Sequence, residues 1–175
     1  RNIQRALGGT FIYVTHDQEE ALVLSDRIMI MNEGKIVQTG NPIDIYKNPN
    51  TVFSSKFIGE SNLLEGMVKT ISKSDDTMNI EVGNSTVKTY YKDGIDIGRK
   101  VFLSIRFENI VMSKEKNTDF ENIFNGTVKN SIFLGPIVKY DLEIPGVNSS
   151  MSAIVDIGTS EKQFFSIGDE VHLSW

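Results

Sequence analysis

The chain carries two histidines, and they stand in different settings. His16 follows the apolar, β-branched and aromatic run Thr10-Phe11-Ile12-Tyr13-Val14 and precedes Asp17, with Glu20 three residues further on. That order predicts a buried strand, a turn, and a helix whose N-cap Asp17 pairs with Glu20 in a capping box. In open α/β sheets, ligands gather at the carboxyl ends of strands, where helix N-terminal amides favour anions. An imidazole at such a place can hydrogen-bond a terminal phosphate oxygen and help hold an attacking water. A lone histidine in such a turn also suits a purely structural role. His172 alternates outward between Val171 and Leu173 and reads as a surface strand residue.

Arg106 and Glu108, on either side of Phe107, form a candidate polar pair, open to a structural role or to an effector or inter-domain contact. The clusters Asp75-Asp76 and Glu115 to Glu121 read as solvated turns, because no spacing gathers their carboxylates around a cation. The sequence holds no Gly-x-x-x-x-Gly-Lys-Ser/Thr loop, and Gly8-Gly9 lacks the lysine and hydroxyl that would follow. It also lacks an apolar strand ending in an Asp-Glu pair for Mg²⁺, and a Ser-Gly-Gly signature. Those elements are expected upstream of Arg1. The chain by itself is therefore expected neither to bind ATP tightly nor to hydrolyse it.

The elements that position these residues fall into two parts. In the first, Ile3 and Leu7 share a helical face that Gly8-Gly9 terminates. After the His16 turn and its helix, Ile28 to Met31 predicts a strand, Asn32-Glu33-Gly34 a hairpin turn, and Lys35 to Thr39 the returning strand. Pro42 starts a short helix, and Val52, Phe53, Phe57 and Ile58 give the next one an apolar stripe. Gly59 closes this α-containing part, so that residues 1–59 form one domain remnant and 60–175 a second domain.

From Asn62 onward the apolar period is two, with turn signals at Asp75-Asp76, Gly83-Asn84, Asp93-Gly94, Gly135-Pro136 and Pro145-Gly146. That spacing predicts a small β barrel or sandwich. Residues 97–105 align with 167–175 at five identities in nine, and Gly-x-Val-Lys stands upstream of each copy, at Gly66 and at Gly126. Two half-repeats, 62–112 and 123–175, each a five-strand motif, are expected to share one core across a polar loop from Ser113 to Asn122.

Composition narrows the function classes. Residues 1–59 balance six Lys/Arg against six Asp/Glu, so the net charge of −5 resides wholly in residues 60–175. An acidic β domain is a poor match for a phosphate backbone, which argues against nucleic-acid binding. No cysteine is present, which excludes disulfides and thiolate metal sites. No apolar run is long enough to span a bilayer. The three Asn-x-Ser/Thr matches, at Asn84, Asn125 and Asn148, read as chance surface sequence.

The stretch Thr10 to Ala21 closely resembles the switch-histidine segment of ABC transporter ATPases. Ser25-Asp26-Arg27-Ile28 and Asn32 to Gly40 resemble the end of that nucleotide-binding domain, and Pro42 to Phe57 its closing helices. Downstream, Ile105-Arg106-Phe107-Glu108 resembles the Arg-Pro-Glu signature of the paired OB-like TOBE domain, Phe133-Leu134-Gly135 its central turn, and Gly168-Asp169 with Trp175 its final strand. Phe107 departs from the usual proline, which would have fixed φ at the strand exit. The junction Phe57-Ile58-Gly59-Glu60-Ser61-Asn62 most resembles the spermidine/putrescine importer ATPases, whose pattern ferric-iron, sulfate and sugar importers largely share.

The resemblance implies a mainly β fold with an α/β remnant at its N-terminus, the β part a tandem OB-like TOBE domain. It implies an importer ATPase subunit on the cytoplasmic face of the membrane, using ATP and Mg²⁺ in the complete protein, with His16 sensing the γ-phosphate. Its partners would be a second copy of the subunit, transmembrane permease subunits and, indirectly, an external solute-binding protein. The alternative is a binding module in which the β half senses an oxyanion or the transported solute.

Overall fold

The computed structural model describes residues 2–158 and 164–175, arranged in two compact units, Arg1–Glu60 and Ser61–Trp175. The first unit runs through α1 (Asn2–Leu7), α2 (Gln18–Leu24), β1 (Ile28–Asn32), β2 (Lys35–Gly40), α3 (Pro42–Lys47) and α4 (Val52–Phe57). β1 and β2 pair antiparallel across Glu33-Gly34, both at positive φ (49° and 74°), the backbone a tight two-residue hairpin requires. Ile28, Ile30, Ile45 and Ile58 make the core of this unit, with Phe53 stacked on Phe57 at 5.6 Å. Gln38, buried in β2, bonds at both ends of its amide, donating to the Asn48 carbonyl and accepting from the Asn50 N–H, each at 2.9 Å. The side chain of Ile3 lies outside the described residues.

One expected element is missing. Thr10 to Val14 forms no strand, and Ile12 and Val14 are 92% and 90% exposed. The residue types suit a buried strand, but a strand exists only as a member of a ladder. Among the described residues no segment pairs with 10–14, so the run stays open.

Among the described residues the second unit is all β apart from one 3₁₀ turn. β3 (Ser61–Ser72), β4 (Thr77–Val82), β5 (Ser85–Tyr90) and β6 (Lys100–Arg106) form a four-stranded sheet in the order β5-β4-β3-β6. After the turn Phe107–Asn109 come β7 (Val111–Ser113), β8 (Ile123–Phe133), β9 (Ile137–Glu143), β10 (Met151–Asp156) and β11 (Glu170–Ser174), in the order β10-β9-β8-β11-β7. Alternation drives each strand: Met78, Ile80 and Val82 of β4 are buried while Asn79 and Glu81 are not, and β9 buries Val138, Tyr140 and Leu142. Both sheets contribute to one core, from Leu64 and Val68 to Val128 and Leu173.

The strand partners correct one boundary. β7 falls in the stretch 62–112 except for its last residue, yet it pairs with β11 of the other sheet, Met112 opposite Leu173. Among the described residues the sheets therefore have four and five strands rather than five each. Their local devices correspond closely. Val68 bonds two consecutive residues, accepting the Gly98 N–H on its carbonyl (2.8 Å) and donating its N–H to Arg99 O (3.0 Å); Val128 does the same with Gly168 and Asp169 (2.9 and 3.0 Å). Register shifts after Val68 and after Val128 leave Lys69 and Lys129 as the extra residues of two bulges, paired with Glu81 and Glu143.

Candidate functional site

α2 begins where the sequence places a helix start. Asp17, in extended backbone, accepts the N–H groups of Glu19 (2.8 Å) and Glu20 (3.2 Å) on Oδ1. The capping box itself does not close. The Asp17 N–H donates to Thr15 Oγ1 (2.9 Å), and the Glu20 carboxylate turns to the preceding turn instead. Its Oε2 accepts the Tyr13 hydroxyl at 3.0 Å and the Thr15 hydroxyl at 2.8 Å. The Glu20 carboxylate raises the phenol pKa of Tyr13 above its ordinary range, first through that hydrogen bond and then through its charge, because ionising the phenol would set two anions side by side.

His16 sits inside this arrangement, between Thr15 and Asp17, with its side chain exposed. Two of its neighbours are thus fixed by hydrogen bonds that do not use the imidazole. Capping rules concern Asp17 and Glu20 and do not point to Tyr13 and Thr15. Their two-residue spacing, which puts both on one side of an extended backbone, was the available signal.

In the second unit Arg106 is buried, and its Nη1 donates to Ser61 Oγ at 2.6 Å, tying the end of β6 to the start of β3. Glu108 is exposed on the 3₁₀ turn. Phe107 is only 8% exposed, and the Lys139 ammonium lies 4.7 Å from its ring centre. Packing thus holds the strand exit where a proline would have fixed it by φ. His172 is half-buried, its Nδ1 2.8 Å from Asn125 Oδ1 across the β8–β11 pair. Among the described residues no group of three or more His, Asp or Glu side chains is placed to hold a metal ion, and no helix is long and apolar enough to cross a membrane.

An open cleft of about 490 Å³ lies in the second unit. Glu65, Gly66, Lys100 and Phe102 line one side, and the 146–149 segment between β9 and β10 lines another. Lys100 Nζ stands 3.3 Å from Glu65 Oε1, so the charges on that wall are already matched.

Residues 103–175 match the family model described as the TOBE domain. The chain is 32% identical to the spermidine/putrescine import ATP-binding protein PotA of Nitrosomonas europaea, over 99% of this chain and 48% of that protein. It is 40% identical to the protein of that name from Trichormus variabilis, over 84% of this chain and 39% of that one. The Thermotoga maritima protein of the same name is 38% identical over 79% of this chain and 38% of its own length. The chain thus spans about half the length, or less, of these relatives. Among solved structures, the cytoplasmic molybdate-binding protein ModG, crystallised with molybdate bound, matches with a TM-score of 0.53 at 13% identity. That match covers 65% of this chain and 88% of the other, and it is a likeness of fold. Over the stretch it spans, the chain belongs with the ABC-type import ATP-binding proteins that carry a TOBE domain.

Proposed function

We propose that this chain is part of the ATP-binding subunit of a polyamine importer, with a regulatory β domain following the end of the nucleotide-binding domain. The similarity to spermidine/putrescine import ATP-binding proteins along 99% of the chain carries this reading. In the complete subunit, ATP and Mg²⁺ are held mainly by elements outside this stretch, and His16 contacts the γ-phosphate. ATP binding favours a closed pair of subunits over an open one, and hydrolysis removes the contact that His16 makes. Permease subunits transmit that closure, and an external binding protein delivers the solute. The subunit works at the cytoplasmic face of the membrane. Arg106 and Glu108 link the β domain to an effector or to a neighbouring domain.

The test is transport by the complete importer with radiolabelled spermidine. His16→Ala is expected to abolish ATP-dependent uptake, while this chain alone shows no ATP turnover. Turnover by the isolated chain would overturn the division of labour. Uptake of sugar, sulfate or ferric iron in place of polyamine would overturn the solute.

A second reading is that the β unit senses a small oxyanion or the solute itself. Its support is the cleft beside Glu65 and Lys100, together with the fold likeness to a molybdate-binding protein. Calorimetric titration of the chain with molybdate, sulfate and spermidine separates the two. Saturable heat that disappears in Lys100→Ala favours sensing, and no heat from any of them rules it out at the concentrations tested.

A further inference from the structure

We propose that Glu20 is the positioning residue of the His16 turn, holding residues 13–17 in one conformation through a single carboxylate oxygen. The proposal rests on the reading of His16 as the histidine that meets the terminal phosphate. Its basis is that Glu20 Oε2 accepts hydroxyls from both Tyr13 (3.0 Å) and Thr15 (2.8 Å), residues that precede His16 by three and by one. Thr15 Oγ1 passes the constraint on, because it also accepts the Asp17 N–H at 2.9 Å. Asp17 in turn is tied to the first turn of α2 through its bonds to Glu19 and Glu20. The chain of bonds encloses the backbone of His16 and leaves its exposed imidazole to a ligand.

Helix capping does not account for Glu20. Asp17 already caps α2, and the N–H that Glu20 would take in a capping box is held by Thr15. The carboxylate therefore serves the turn and not the helix. Hydrogen bonds to an ionised acceptor are roughly twice as strong as neutral ones, so the negative charge matters as well as the geometry. Displacing a reacting group by about 1 Å can cost ~100-fold in rate, which is the scale on which such an anchor acts.

Two readouts test it. In this chain, the Tyr13 phenol is titrated by ultraviolet absorbance as the difference from Tyr13→Phe, and the backbone amide shift of His16 is followed by NMR. Glu20→Gln is expected to bring the phenol down toward its ordinary value of 10.0 and to move the His16 amide. In the complete subunit, Glu20→Gln and Thr15→Val are each expected to lower kcat about tenfold or more, with KM for ATP little changed, and the double variant to be no worse than either alone. If His16→Ala lowers kcat and Glu20→Gln does not, the positioning role is overturned and the histidine reading stands. If His16→Ala leaves kcat intact, the histidine reading fails. The turn is then judged on the first readout, where an unmoved titration and amide shift overturn the anchor too.

Discussion

Asn122 binds Lys88 by both ends of its amide: its Oδ1 accepts the Lys88 N–H at 2.8 Å, and its Nδ2 donates to the Lys88 carbonyl at 3.0 Å. Asn62 makes the same double bond to Ser152, at 2.7 and 2.8 Å. Each asparagine stands four residues before a Gly-x-Val-Lys sequence, and each reaches the outer strand of the opposite sheet, β5 or β10. The side chains act as one-residue extensions of a ladder. They join the sheets by hydrogen bonds that are specific in register, where apolar contact alone would let the sheets slide.

Both amides are nearly buried, at 4% and 7% exposure, so truncation strands a backbone N–H and C=O away from water. Asn62→Ala and Asn122→Ala are each expected to cost about 2 kcal/mol, read as a lower urea midpoint at unchanged m-value. Asn122→Asp should cost at least as much, because the carboxylate loses the donor and faces the Lys88 carbonyl. An unchanged midpoint would show that the clamp adds nothing beyond the apolar core.

Gly66 and Gly126 occupy corresponding places in β3 and β8 but differ in what surrounds them. A Cβ on Gly66 would lie 2.5 Å from Ile80 Cγ2 and 2.7 Å from the Glu81 carbonyl oxygen. On Gly126 the nearest atoms are Ile144 Cδ1, the movable end of a side chain, at 2.8 Å, and the Glu143 carbonyl oxygen at 3.3 Å. Gly66→Ala is therefore expected to destabilise by roughly 2–3 kcal/mol and Gly126→Ala by about 1 kcal/mol. Thermal unfolding of the two variants checks the order, and equal shifts would contradict it.

Asp169 supplies a pH test. Its carboxyl is held below the usual 3.8, first by the Ser166 N–H that donates to Oδ2 at 3.0 Å and further by the Lys114 ammonium 3.3 Å away. Partial desolvation opposes the shift. A depressed folded value means that the unfolded chain takes up the proton first on acidification. The stabilisation is thus fully present above 3.8 and is lost as pH falls through the lower folded value. Asp169→Asn should flatten the acid limb of the stability curve below pH 4 and leave its neutral part lower; an acid limb as steep as the parent's would rule out the role.

Phe107 is buried at the exit of β6 under Lys139. Phe107→Ala is expected to cost about 3–4 kcal/mol in urea unfolding, as for a large core aromatic. Phe107→Pro should lose most of that packing too. The backbone accepts a proline, since Arg106 at φ −64°, ψ 143° already has the extended conformation that a following proline demands. A Phe107→Pro variant as stable as the parent would mean that fixing φ compensates for the lost ring.

The sequence by itself determined the kinds of elements and most of their limits. Period-two alternation marks β4 and β9, Glu33-Gly34 marks the hairpin, and Asp17 marks the start of α2, because each is decided by neighbours a few residues away. Local rules also promised a strand at Thr10 to Val14 and a capping box at Glu20, and both depended on partners that local rules do not supply. Strand formation needs a ladder from elsewhere, and the Asp17 N–H had a nearer acceptor in Thr15. Only the tertiary structure decided that β7 joins the second sheet, that Glu20 faces Tyr13 and Thr15, and that Asn62 and Asn122 cross between sheets. Those choices join residues up to 90 positions apart, and which distant groups meet is settled by packing of the shared core rather than by the chain on either side of them.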